Sequence, residues 1–315
     1  MSRINIGGQA VMEGVMMRNN NRYAVAVRKP DKEIDVKVNA CAGTSERPAI
    51  CNIPIVRGVY NFVQSLVIGV KTLMYSAQFF EDGEEDTPIK EKKKKKEKTK
   101  EQEARAEKAE MAGTVAFSIV LAIGLFMLLP AWIASLLDDV VKNYVLIGLI
   151  EGVIRLIIFL GYVIAISRME EIKRTYMYHG AEHKTINCLE HGHELTVENV
   201  MRASRFHKRC GTSFLFIVMI VSILVFMCIS VDAMWLRLLL RVLLVPLIAG
   251  ISYEFIRFAG NSDSWIANVL SKPGLLIQRL TTKEPTEDMV EVAIASVEAV
   301  LDWRAYLAEQ AKSKK

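Results

Sequence analysis

Cysteine is scarce in this 315-residue chain. The five present (Cys41, Cys51, Cys188, Cys210, Cys228) are an odd number without disulfide-framework spacing. That excludes a disulfide-stapled secreted scaffold and leaves reduced thiols as the expectation. The opening stretch, MSRINIGGQAVMEG, has no apolar core of signal-peptide length, so no cleavable leader is expected. An excess of one charge is also missing: 40 Lys and Arg against 35 Asp and Glu leave a net charge of +5, so the distribution of charge says more than its sum. Charge itself is absent from long stretches, with none at all in 111–137 or 211–231.

That segregation reconciles 51% hydrophobic residues with 24% charged ones. Segment 111–137 exceeds the ~20 residues needed to cross a bilayer. Segment 143–167 predicts a second span, interrupted by Glu151 and Arg155, which can pair at i,i+4 or through Arg241. Segment 211–231 predicts a third, and 233–258 a fourth, with Arg237, Arg241 and Glu254 in it and Pro246 near its centre. The sequence therefore predicts a mainly α, polytopic membrane protein with about four transmembrane helices, amphipathic helices and a small N-terminal β domain. No repeat is evident among the four spans, which counts against a transporter. Eight basic residues between spans two and three, and the lysine-rich tract before span one, place both termini and 168–210 in the cytoplasm.

Around the predicted transmembrane domain (111–258) the chain divides further. Residues 1–55 read as a β-rich cytosolic domain: two β-favouring runs at 23–27 and 34–38 flank Pro30-Asp31-Lys32 as in a hairpin. Residues 56–80 have helical periodicity with a polar face, as in an interfacial or re-entrant helix. Residues 81–110 carry 11 acidic and 10 basic residues and almost nothing apolar, a charged linker for which nucleic acid is not expected as a partner. Residues 259–315 predict an irregular stretch to Thr282 and then an amphipathic helix capped by Thr286, with Val290, Ile294, Val297 and Leu301 on its apolar stripe.

All five histidines (His179, His183, His191, His193, His207) lie within 29 residues, in the one long segment between spans. In Tyr178-His179-Gly180-Ala181-Glu182-His183 the two histidines are four apart, on one face of a helix expected to continue from span two. They can share one divalent cation, of which Zn²⁺ is the natural choice, while Glu182 acts as general base in the His-x-x-Glu-His order. A helix over 197–208 capped by Thr196 would bring His207 back as third ligand; Cys210 and Glu254 are the other contenders. His191 and His193 read as a solvated turn.

The blocks Gly7-Gly8-Gln9-Ala10-Val11-Met12-Glu13-Gly14, Tyr178-His179-Gly180-Ala181-Glu182-His183-Lys184, His207-Lys208-Arg209-Cys210-Gly211 and Lys283-Glu284-Pro285 are similar to those of the bacterial YqhQ-like membrane proteins. The resemblance implies a bacterial inner-membrane location and a metal-dependent enzyme with His179, His183 and His207 as ligands. It adds Glu13 and Arg18 as site candidates and leaves the substrate open. The first functional expectation is a membrane-embedded, metal-dependent hydrolase working at the cytoplasmic face on a membrane-protein or lipid-like substrate. The alternative is a non-enzymatic membrane-protein biogenesis or assembly factor with a structural metal. Either is compatible with a homo-oligomer.

Overall fold

Four strands near the N terminus form an antiparallel meander in the order β1-β2-β3-β4: β1 (Ile6–Val11), β2 (Gly14–Asn19), β3 (Arg22–Arg28) and β4 (Ile34–Ala40). The computed structural model describes residues 4–43, 48–80, 100–229, 231, 233–262 and 264–313. Val11 pairs with Gly14 and Asn19 with Arg22, so the first two links are two-residue turns, with Glu13 and Asn20 at φ 48° and 51°. Residues 1–55 thus hold four strands where the sequence pattern suggested two. The interior of β3 is buried on both faces, which suits its unbroken Tyr-Ala-Val-Ala-Val run. One face puts Val15, Met17 and Ala26 into a core with the later helices; the other packs Met16, Val25 and Val27 against Ile68.

Helices follow throughout. They are α1 (Val56–Ala77), α2 (Lys100–Ile123), α3 (Leu129–Ser135), α4 (Tyr144–Ile166), α5 (Glu170–Glu190), α6 (Val197–Arg202), α7 (Gly211–Met227), α8 (Met234–Asn261), α9 (Trp265–Thr281), α10 (Glu287–Glu298) and α11 (Trp303–Ser313). Of the expected charged linker, residues 81–99 lie outside the described residues, and the chain is helical from Lys100.

Among the described residues, three helices are long and apolar enough to cross a membrane: Ala112–Ser135, Tyr144–Ile166 and Trp235–Gly260. The sequence predicted about four. The remaining one is the apolar helix α7, which gives way to a turn at Cys228 after 17 residues. At ~1.5 Å per residue it reaches about 26 Å, short of a ~30 Å hydrocarbon core. Three other expectations are corrected. The second span does not run on into the histidine motif, because the chain breaks over 167–169 before α5 begins. The helix capped by Thr196 ends at Arg202 rather than 208, although the Thr196 side chain does accept from Asn199 N–H. Residues 265–281, expected to be irregular around Pro273-Gly274, are helical, with Pro273 inside α9.

Two compact units divide the chain. The first combines Met1–Glu81, Tyr162–Ser222 and Leu243–Lys315. In it α10 covers one face of the sheet, with Met289, Val290, Ala293 and Val297 buried beside Tyr178, Ile186 and Leu189 of α5. Ser296 ties α10 to the Ala24 carbonyl, and Arg28 reaches the Asp288 carbonyl and Glu291. The second unit combines Asp82–Gly161 and Ile223–Val242. Its centre is polar: Glu151 accepts from Arg155 at 2.6 Å and from Arg241, and all three side chains are buried. Arg155 also donates to the Phe126 carbonyl, in the π turn Gly124–Leu128 that joins α2 to α3.

Candidate metal centre

Helix α5 opens with Glu170 and Glu171 in its first turn, where carboxylates oppose the positive end of the helix dipole. Its second half is polar in sequence yet wholly buried from Gly180 to Leu189. Buried polar groups need partners, and the loops around the helix supply them. Lys184 Nζ donates to the carbonyls of Met201 (2.8 Å) and Ala203 (3.0 Å) and pairs with Glu284. Asn187 donates to those of Ser204 and Phe206. These contacts wrap residues 201–206 around α5 and carry the chain to Cys210.

Both motif histidines are oriented by backbone carbonyls. His179 Nδ1 lies 2.8 Å from the Thr281 carbonyl, and His183 Nδ1 lies 2.7 Å from that of Arg205. A carbonyl can only accept, so each Nδ1 carries the proton and each neutral ring keeps its lone pair on Nε2. Metal-ligating histidines are characteristically anchored in this way. The Thr281 carbonyl is held there because residues 283–285 cross directly over Gly180, where a Cβ would sit 2.0 Å from the Lys283 carbonyl oxygen. Only glycine permits that crossing.

Cys210 Sγ is the third member. It lies 3.3 Å from His179 Nε2, and the ligand atoms of His179, His183 and Cys210 all fall within 4.8 Å of one another. His183 and Cys210 are buried and His179 is partly so. Burial alone would push the Cys210 thiol up, but the two imidazoles beside it outweigh that and hold it well below its ordinary value. Burial would likewise lower His179, and the Cys210 sulfur reverses this, raising it to about 9. Proton and divalent cation therefore compete for one lone pair. Two imidazoles and a thiolate form a borderline-soft set that suits Zn²⁺, and three protein ligands leave a fourth position of the kind found in catalytic zinc sites.

Glu182 lies on the same face of α5. Burial raises its carboxyl above the usual range, and both imidazoles pull it partway back. The Gly8 N–H of β1 donates to it, while Oε2 is buried without a partner among the described residues. The approach is close: a Cβ on Gly8 would meet Glu182 Cδ at 2.8 Å. No sequence pattern announced this contact, although the Gly7-Gly8 pair was its only trace.

The other candidates are placed differently. His207, expected as third ligand, has its ring centroid 5.8 Å from that of His183, but its Nε2 faces Glu190 at 3.2 Å and its backbone is clamped by Gln278. With the His207 ring turned to Glu190, Cys210 is the residue grouped with His179 and His183. Glu254 is paired with Arg57, away from the cluster. Glu13 holds Arg174 and accepts from the Tyr178 hydroxyl, tying the β1–β2 turn to α5. Arg18 donates to Gln64 and the Ala42 carbonyl and lines a separate cavity. His191 and His193 are exposed in the turn after α5.

Comparison with known proteins agrees with the motif blocks. The family described as "Protein of unknown function (DUF1385)" matches residues 53–303. The "Uncharacterized protein YqhQ" of Bacillus subtilis (strain 168) is 36% identical over 306 residues, covering 96% of this chain and 94% of that protein. No solved structure matches.

Proposed function

The chain belongs to the DUF1385 family, and on that footing we propose that it is a membrane-embedded, metal-dependent hydrolase acting at the cytoplasmic membrane face. The observation that carries this reading is one juxtaposition. Three ligand atoms lie within 4.8 Å of one another, beside a buried carboxylate that has one oxygen without a partner. His179, His183 and Cys210 would hold the ion, most naturally Zn²⁺, and the Thr281 and Arg205 carbonyls keep both rings turned towards it. A bound cation supplies Lewis acidity, which lets water serve as a nucleophile near neutral pH. Glu182, held by the Gly8 N–H, takes the proton on its free oxygen, and its raised pKa brings it nearer the operating pH. The substrate class is a membrane-protein segment, a peptide or a lipid-like molecule reaching the site from the inner leaflet.

The membrane arrangement supports the location. With α7 counted as a short fourth crossing, accommodated by local bilayer thinning, both termini and the 168–210 segment lie on the cytoplasmic side of a bacterial inner membrane. This agrees with the basic residues around the histidines. A second reading, a structural metal in a membrane-protein biogenesis or assembly factor, is favoured by the depth of the site: His183 and Cys210 are only 1% and 4% exposed.

Glu182→Gln separates the two. It keeps size and hydrogen bonding while removing basicity, and loss of a general base costs about 10²–10⁴-fold in rate. The variant is expected to keep its zinc, its expression level and its detergent stability, yet fail to complement a deletion strain. Full complementation by the zinc-loaded variant would overturn the hydrolase and leave the structural metal.

A further inference from the structure

Beside β1 lies a cavity of about 460 Å³, walled by β1 and β2, by α1 and by the last turns of α8. Arg18, Arg57 and Arg257 line it together with Asn61, Tyr253 and Gly7, and no carboxylate is among its lining residues. The charge balance follows from the partners. Arg57 spends Nε and Nη2 on Glu254, and Arg257 lies 3.8 Å from the same carboxylate. Arg18 has only the neutral acceptors Gln64 and Ala42. Three guanidiniums against one carboxylate leave an excess of two positive charges. The remaining N–H groups of these three arginines have no acceptor among the described residues.

Gly7 points the same way. Its φ is not positive, and a Cβ there would meet nothing within 4 Å. Neither backbone conformation nor packing calls for glycine; what a side chain would occupy is space in the cavity that Gly7 lines.

The walls also fix its level relative to a bilayer. Arg257 falls in the last turn of the apolar helix Trp235–Gly260. Arg57 opens α1, whose Val63, Leu66, Val67 and Leu73 stand 46–52% exposed, an uncovered apolar face on an amphipathic helix. A helix of that kind rests at the headgroup boundary, and an arginine at the end of a span sits there too. Guanidiniums clustered at that level match the oxygens of a phosphate group in fork geometry.

We propose that this arginine-lined cavity is a binding site for a phosphate group carried on a lipid-like molecule of the cytoplasmic leaflet. The inference stands independently of the metal ligands and of Glu182, none of which lines the cavity, although Gly8, whose N–H holds Glu182, does.

Purified full-length protein in an uncharged maltoside detergent is titrated with dioctanoyl phosphatidic acid, with dioctanoylglycerol, which lacks the phosphate, and with inorganic phosphate. Zinc content is measured on the same samples. Saturable binding of the phosphatidic acid is expected, with none of the dioctanoylglycerol. The Arg18→Gln/Arg257→Gln protein should bind it about tenfold more weakly or worse, the scale of one charge-assisted hydrogen bond, and the corresponding lysine pair should lose less. If the double variant aggregates, Arg257→Gln alone, at a side chain 47% exposed, carries the comparison. Inorganic phosphate binding as tightly as the lipid would overturn the lipid source in favour of a soluble phosphate compound. Equal binding of the two dioctanoyl lipids, or wild-type affinity in the glutamine variants, would overturn the site itself. Zinc content reads the metal centre separately, so failure of one assignment cannot be mistaken for failure of the other.

Discussion

Replacing Glu151 with glutamine removes the one negative charge at the centre of the Glu151–Arg155–Arg241 cluster. Each carboxylate oxygen serves a different guanidinium, and the three residues are 3%, 4% and 5% exposed. Both guanidiniums also lie over the Phe226 ring, at 5.2 and 5.3 Å. Neutralising Glu151 leaves two like charges side by side with no anion between them. At an effective dielectric near 20, each lost contact is worth about 4 kcal/mol of attraction before relaxation. Loss of one partner from a buried pair typically costs about 3–5 kcal/mol net. Glu151→Gln is therefore expected to lose about 3–5 kcal/mol in reversible unfolding from maltoside by added sodium dodecyl sulfate, followed by circular dichroism. The triple replacement Glu151→Met/Arg155→Met/Arg241→Met should cost far less than the single change, because it removes the desolvated charges together. A Glu151→Gln protein within about 1 kcal/mol of wild type, the most that an exposed ion pair contributes, would refute the reasoning and mean that the guanidiniums are hydrated.

Cys210→Ala should empty the metal centre while His207→Ala leaves zinc content unchanged, measured by elemental analysis of purified protein; the reverse result would return His207 to the ligand set. Gly180→Ala drives a methyl into the Lys283 carbonyl, so about 1–3 kcal/mol of stability and part of the zinc should be lost together, and an unperturbed variant would mean that the crossing over Gly180 is looser than described. Reporter fusions after Lys100, Arg174 and Lys272 should read as cytoplasmic and one after Asp139 as external; an external Arg174 would put the histidine motif on the wrong side for the mechanism proposed.

Helical spacing made His179 and His183 legible in the sequence, because residues four apart share a face of a helix whatever surrounds them, and it put Glu182 beside them. Cys210 was visible only as a contender. Choosing between it and His207 required knowing that α6 stops at Arg202 and that Glu190 and Gln278 hold His207. Those are contacts between segments far apart in the chain, which spacing cannot report. Strands β3 and β4 announced themselves through β-branched residues and a turn. Strands β1 and β2 did not, since glycine is depleted in strands and β1 carries two of them; β2 holds there through its pairing with β3, and β1 through its pairing with β2. Helix α9 was hidden by Pro273-Gly274. Its Gln278 lies fully buried, fixed to His207 and Ser213, and tertiary contacts of this kind override a local breaker.

The covering of the sheet by α10 has a consequence in time. The four strands lie between Ile6 and Ala40, whereas the helix that closes over Val15, Met17 and Ala26 begins only at Glu287, so the strands leave the ribosome well before it. At the usual ~5–20 residues per second of synthesis, roughly 12–50 s separate the two. For that interval the hairpins wait with one apolar face open while the three candidate membrane helices, which lie between the strands and α10, are made. A helix made long after the strands is therefore what completes their packing, and the strand β1 that holds Glu182 reaches its final setting only once α10 has followed.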